Sequence, residues 1–182
     1  MWRWIEAYVR AVEWLNYRLG RLMMYFLFVM MGILLWSSIS KVLVIPSIWT
    51  LEMAQFSLVA YYMLGGPYSL QLGSNVRMDL LYSGWSERKR TLVDTFSIFA
   101  MIFYLGVLLY GGITSTIYAL EYGERSYSSW RPYMAPIKIV MDIGLFLMLL
   151  QSFAIFFKDL GKLMGRPIRS GIPCEEALGD VL

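Results

Sequence analysis

The chain has 182 residues, a formal net charge of +3, 58% hydrophobic residues and only 16% charged residues. A soluble domain carries about 25% charged residues, and a globule this small has too little interior for so many apolar side chains. The composition therefore excludes an ordinary soluble domain and predicts one integral membrane domain over residues 1–182. The absence of histidine excludes bis-histidine haem ligation and every mechanism that needs an imidazole base.

The first 21 residues form an amphipathic pattern, which we call the leader. Tryptophan and tyrosine beside arginine suit the headgroup region, so we predict a helix that lies on the membrane surface. The alternative is a cytoplasmic extension of the first spanning helix, packed on a partner. At helical spacing the polar stripe contains Arg3, Glu6, Arg10, Glu13 and Tyr17, and the apolar stripe contains Ile5, Val9, Val12 and Leu19.

Four apolar stretches follow the leader, at residues 22–40, 51–72, 95–120 and 137–157. Each is long enough to cross roughly 30 Å of hydrocarbon, which takes about 18 residues or more in a helix. Within lipid a helix satisfies its own backbone hydrogen bonds. The sequence therefore predicts an all-α membrane protein with four transmembrane helices.

The lysine and arginine residues predict how these helices are oriented. Twelve of the 16 lie in the leader, in the connection between the second and third stretches, and after the fourth stretch. Positive charge favours the cytoplasmic side, so both termini are predicted to be cytoplasmic. This clustering between apolar runs is typical of membrane topology signals rather than of a nucleic-acid-binding surface. The four residues on the other side are Lys41, Arg125, Arg131 and Lys138.

Three segments outside the apolar stretches have their own patterns. Residues 76–85 predict a short interfacial helix, and Ser86 is a suitable N-cap for the third spanning helix. The loop at 121–136 is rich in tyrosine and tryptophan, which indicates either an interfacial aromatic belt or a docking surface for a periplasmic partner. The tail, residues 169–182, is short and polar and is predicted to be flexible.

Three ionisable residues lie near the ends of the apolar stretches. Glu52 is in the first turn of the second helix, where the helix dipole favours a carboxylate. It either stabilises that helix start or forms an ion pair with a partner subunit. Lys138 and Asp142 are spaced i, i+4 and share a face of the fourth helix. They form either an internal ion pair or a polar contact to a neighbouring subunit.

The sequence contains no nucleophile elbow, phosphate-binding loop or cluster of metal ligands. The first and third helices carry no ionisable residue across their apolar cores, whereas a solute pathway normally needs polar groups near the midplane. We therefore predict that the chain is not an enzyme, needs no cofactor or metal, and transports nothing on its own. One alternative is a haem-free membrane anchor subunit of a redox complex.

Three local patterns resemble the small (Q) membrane subunit of tripartite ATP-independent periplasmic (TRAP) transporters. WTLE at residues 49–52 resembles the W-x-x-E that begins the second helix in that family. GSNVRMDLL at 73–81 resembles its G-x-H-V-R-x-D-x-L pattern, with Asn75 in place of the usual histidine. SWRP at 129–132, with PIK at 136–138 and LLQ at 149–151, resembles a subgroup labelled for mannitol, chloroaromatic or keto acids.

The resemblance implies a scaffold subunit in a bacterial or archaeal cytoplasmic (inner) membrane. Its implied partners are a large, elevator-type membrane subunit, which holds the substrate and sodium sites, and a periplasmic binding protein that captures an organic acid. Import is then driven by the sodium gradient and not by ATP. The candidate residues for partner interfaces are Glu52, Arg77, Asp79, Tyr127, Trp130, Arg131, Lys138 and Asp142.

Overall fold

A computed structural model describes residues 2–43, 47–72 and 87–164. The regular structure in these ranges is helical, which confirms the all-α prediction, and one isolated β-bridge joins Arg125 to Tyr133. The predicted interfacial segment at 76–85, the predicted N-cap Ser86 and the predicted flexible tail lie outside the described residues. The helices are α1 (Trp2–Val42), α2 (Thr50–Gln71), α3 (Glu87–Glu121) and α4 (Ala135–Leu163).

The leader and the first apolar stretch form one uninterrupted helix, α1, of 41 residues. At 1.5 Å per residue its length is about 60 Å, roughly twice the thickness of the hydrocarbon core. The predicted boundary between residues 21 and 22 is therefore not a helix end. No proline lies in this helix, so nothing in the backbone interrupts it where the composition changes.

The leader packs against α4 by one face. Val9 and Val12, from the predicted apolar stripe, are buried together with Ala154 of α4. The Tyr8 hydroxyl donates a hydrogen bond to the Leu150 carbonyl oxygen over 3.1 Å. On the opposite side, Trp4 and Trp14 are exposed. The contact with α4 accounts for the apolar stripe, and the interfacial position of the leader stays a prediction.

Helix α4 is the centre of the bundle, because it contacts α1, α2 and α3. It approaches the backbone of α2 closely at Gly144. A Cβ atom at Gly144 would lie 2.7 Å from the Met63 carbonyl oxygen, so only glycine admits the α2 backbone at this distance. Helices α1 and α2 pack on each other as well, and among the described helices α3 packs extensively only on α4.

Three helices in the described part of the chain are long and apolar enough to cross a membrane. They are α1, α3 and α4, so the chain is a multi-pass membrane protein. Helix α2 has 22 residues, enough for a span by length, but its second half is less apolar. That half contains three tyrosines, two glycines and Pro67, and the fourth predicted span therefore stays a prediction.

Candidate functional site

The connection between α3 and α4, residues 122–134, folds back on itself; we call it the α3–α4 loop. The Met134 amide donates a hydrogen bond to the Glu124 carbonyl oxygen over 3.0 Å. Gly123 has a φ of 58°, a left-handed conformation that glycine adopts without strain. The backbone thus closes the loop and fixes the conformation from which its side chains project.

Two cations fasten this loop from within. The Arg125 guanidinium donates a hydrogen bond to the Tyr133 hydroxyl, and its central carbon lies 4.3 Å from the centre of the Tyr133 ring. The Lys138 ammonium, from the first turns of α4, forms a half-buried ion pair with Glu124. The predicted ion pair between Lys138 and Asp142 is therefore wrong, because the folded loop brings a closer carboxylate to the lysine.

Asp142 has a different role, since it joins α4 to α3. One of its carboxylate oxygens accepts a hydrogen bond from the Thr116 hydroxyl over 2.6 Å. The other lies against Gly112, where a Cβ atom would collide with it. A threonine and a glycine one turn apart on α3 therefore form the seat for this carboxylate. Small residues of this kind let helices approach closely, and here they serve the packing of α3 on α4.

The α3–α4 loop presents three predicted interface residues in three environments. Tyr127 is fully exposed, with a relative side-chain exposure of 104%. Trp130 is partly exposed and lies over an apolar groove between α2 and α4. Arg131 is exposed and has a φ of 49°, which is unusual for a residue other than glycine. Its backbone amide donates to the Ser128 hydroxyl over 3.3 Å, which helps to hold this conformation.

Glu52 is the most unusual of the predicted residues. It lies in the first turn of α2 and is only 5% exposed. Neither of its carboxylate oxygens accepts a hydrogen bond from any described residue. A buried polar group without a partner costs about 1–3 kcal/mol, and a charged group costs more. The dipole of α2 favours the carboxylate, but the described residues supply no donor to it.

The predicted residues do not converge on one site. Four of them lie in or beside the α3–α4 loop: Tyr127, Trp130, Arg131 and Lys138. Asp142 instead faces α3, and Glu52 is buried at the start of α2. Arg77 and Asp79 lie outside the described residues. The arrangement contains charged contacts between elements, and among the described residues no group of three His, Cys, Asp or Glu side chains is placed to hold a metal ion.

A second polar cluster, near the other end of the bundle, was not predicted from the sequence. The Asn16 amide donates to the Gln151 side-chain oxygen over 2.7 Å, and both residues are 1% exposed. Glu13, expected on the solvated polar stripe, is 1% exposed and pairs with Lys158 of α4. Gln151, an amide inside an apolar span, was the signal in the sequence, because amides in such spans commonly bond across helices.

Together these features define a helical, multi-pass membrane protein whose polar contacts join its helices to one another. Residues 30–162 match the family model described as tripartite ATP-independent periplasmic transporters, DctQ component. The match covers well over half of the chain, so the chain belongs to this family. The match confirms the resemblance to the small TRAP transporter subunit. The members of this family are transporter components, and it is not an enzyme family. Neither the curated proteins nor the solved structures contain a match to the chain.

Proposed function

We propose that this chain is the scaffold subunit of a sodium-coupled secondary transporter that imports an organic acid across a bacterial or archaeal inner membrane. Its proposed partners are a large elevator-type membrane subunit and a periplasmic binding protein. Family membership supports a role as a TRAP transporter component. The sodium coupling and the organic acid are what the resemblance implies. In this proposal the substrate selectivity belongs to the partner subunits, so this chain does not reveal it.

The observation that carries the scaffold role is how the buried polar groups are used. Asn16 bonds to Gln151 and Thr116 bonds to Asp142, so these contacts tie α4 to α1 and to α3. A transport pathway uses buried polar groups to coordinate its solute, whereas these side chains are occupied by each other. Polar contacts of this kind between helices favour a single, rigid arrangement of the bundle, which is what a fixed scaffold needs.

We also propose that α2 completes a four-span topology with both termini in the cytoplasm. Near its start, the Thr50 hydroxyl donates to the Ser37 hydroxyl of α1 over 3.2 Å. Near its end, the rings of Tyr68 and Tyr17 lie 6.1 Å apart. Helix α2 thus runs antiparallel along about 30 Å of a helix that is itself a candidate span. A helix held in this way crosses the bilayer together with its neighbour.

Glu52 is our candidate for the contact with the large membrane subunit. Its carboxylate is buried and lacks a described donor, so an arginine, a lysine or an amide from a partner would satisfy it. A charge-assisted hydrogen bond in such a place is about twice as strong as a neutral one. Tyr127, which projects fully from the α3–α4 loop, is the candidate for contact with the periplasmic binding protein.

Affinity purification of the chain from its native membrane in mild detergent, followed by mass spectrometry, tests this proposal. We expect a protein of many predicted helices to co-purify in near-stoichiometric amount. The substitution Glu52→Gln should lower its recovery at least about tenfold, because removing one member of a buried charged pair costs about 2–5 kcal/mol. The control is Glu121→Gln, since Glu121 is an exposed carboxylate at the end of α3.

Two results would contradict the proposal in different ways. If a soluble redox subunit co-purified instead, the chain would be a membrane anchor. If Glu52→Gln abolished uptake while the complex stayed intact, the glutamate would act in transport itself, and the scaffold role would be wrong.

A further inference from the structure

An apolar groove of about 540 Å³ lies beneath the α3–α4 loop. Helix α2 supplies Met53, Phe56 and Ala60 to one wall, and α4 supplies Ile137 and Val140 to the other. Sites for small ligands have volumes of about 300–1,000 Å³, so the groove is large enough to hold a molecule and is not a packing defect.

The length of the groove fits within one leaflet of a bilayer. Its lining includes the loop residues Trp130 and Tyr133, Ala60 of α2 and Phe26 of α1. On α2 the lining residues run from Met53 to Ala60. At 1.5 Å per residue this is about 10 Å, whereas one leaflet is about 15 Å of the roughly 30 Å hydrocarbon core. An acyl chain of a single leaflet is therefore long enough to fill the groove.

The apolar lining of the groove favours a hydrocarbon ligand over a polar one. Among the described residues that line the groove, none is charged, and Ser57 carries the lone aliphatic hydroxyl. The Tyr133 hydroxyl, at the upper end, is already hydrogen-bonded to Arg125. A polar solute would lose its hydration here without gaining hydrogen bonds in return, at a cost of several kcal/mol by transfer from water to an apolar phase. An alkyl chain has no such cost.

Arg131, in the α3–α4 loop above this groove, is a cation for which the described residues supply no side-chain partner. Arg131 stands between Trp130 and Pro132, both of which line the groove. Arg125 and Lys138 are engaged by Tyr133 and Glu124, but no described side chain accepts a hydrogen bond from the Arg131 guanidinium. The left-handed backbone of Arg131 is an uncommon conformation that is fixed by the loop.

We propose that one phospholipid binds in this groove, with an acyl chain between α2 and α4 and its phosphate against Arg131. A guanidinium matches the geometry of a phosphate group, and tryptophan and tyrosine rings are suited to the headgroup level. The leaflet is the one on the side of the α3–α4 loop. Apolar side chains of a partner would also fit the groove, but an apolar partner segment would leave the adjacent Arg131 without an anion. The inference is independent of sodium coupling and of the transported substrate.

The test uses the full chain purified with whatever partners accompany it, delipidated in mild detergent and titrated with dioleoyl phosphatidylglycerol. Native mass spectrometry then counts the bound lipid. We expect one saturable lipid per chain in the unchanged protein. Ala60→Trp, which fills the floor of the groove, should abolish its retention, and Arg131→Gln should weaken its binding about tenfold. The control is Tyr127→Ala, since Tyr127 lies in the same loop but is fully exposed.

A second measurement applies if Ala60→Trp fails to fold. A photoreactive benzoylphenylalanine replaces Phe56 in otherwise unchanged protein, and the mass of the adduct after illumination identifies what fills the groove. An adduct of one phospholipid supports the proposal. Adduct formation with a partner protein overturns it, as does a lipid count that Arg131→Gln and Ala60→Trp leave unchanged. Competition of the bound lipid by inorganic phosphate alone would also overturn it, since the acyl chain would then contribute nothing.

Discussion

Gly112 and Gly111 are adjacent glycines on α3 with different surroundings. A Cβ atom at Gly112 would collide with the Asp142 carboxylate, whereas a Cβ atom at Gly111 would meet nothing within 4 Å. Gly112 therefore sets how closely α3 approaches α4, and Gly111 does not.

We expect Gly112→Ala to destabilise the protein and Gly111→Ala to leave it unchanged or slightly more stable. Overpacking at a close helix contact costs about 1–3 kcal/mol, while alanine in an open helical position gains up to about 1 kcal/mol over glycine. Thermal unfolding in detergent measures both. Equal Tm values for the two variants would show that Asp142 does not hold α3 in the folded protein.

Lys138→Met should loosen the α3–α4 loop. The ion pair with Glu124 is half-buried, and its loss is worth about 1 kcal/mol, or about a fivefold change in the opening of the loop. Hydrogen–deuterium exchange of peptides from the loop should accelerate by that factor. Lys41→Met, which removes an exposed lysine at the end of α1, is the control. Unchanged exchange in the Lys138 variant would mean that the backbone alone closes the loop.

At this scale the sequence predicted the positions of the charged residues along the helices but not their contacts. The i, i+4 spacing correctly placed Lys138 and Asp142 on successive turns of α4. Their actual partners, Glu124 and Thr116, come from a loop that folds back and from a neighbouring helix. Helical periodicity describes one helix, so it contains no information about either contact.

Among the helices, α1 shows that a change of composition does not end a helix. The sequence changes from amphipathic to apolar near residue 21, yet the helix continues through that point. Apolar runs mark the part of a helix that lies in hydrocarbon, not its ends. The same reason explains α3 and α4, which extend beyond the predicted spans 95–120 and 137–157 at both ends.

The amide pair Asn16–Gln151 connects the leader half of α1 to α4. Gln151→Leu should destabilise the protein by about 0.6 kcal/mol, the average for hydrogen bonds between membrane helices, and by no more than about 1.7 kcal/mol. The double variant Asn16→Leu/Gln151→Leu should recover part of that loss, because it leaves no buried amide without its partner. Unfolding in detergent measures both, with Gln55→Leu as the control, since Gln55 is an exposed glutamine on α2. Strictly additive losses would show that the two amides do not interact.

For the molecule as a whole, the lysine and arginine distribution makes a prediction that one residue can report. Cys174 is the single cysteine of the chain and lies in the predicted cytoplasmic tail. A membrane-impermeant maleimide should label it only after the cells are permeabilised. In a Cys174→Ser background, Tyr127→Cys should be labelled in intact cells, because Tyr127 projects from the loop on the opposite side. Labelling of Cys174 in intact cells would show that the predicted topology is inverted.

The hydrophobic pattern predicted the helical class and the approximate positions of α1–α4, because lipid admits few alternatives for an apolar segment. It did not predict which helix would be central. That property depends on small residues at contact points, and Gly144, which admits the Met63 carbonyl oxygen, is one of 15 glycines in the sequence. No periodicity distinguishes it from the others.

The central position of α4 also has a consequence for biosynthesis. Ribosomes make the chain from its N-terminus, so α4, the fourth described helix, emerges after α1, α2 and α3. Helices α1 and α2 pair as soon as both are inserted, but α3 has no extensive described neighbour until α4 arrives. A nascent chain that stalls before residue 135 therefore lacks the extensive described contact of α3, and packing of the described bundle waits for α4.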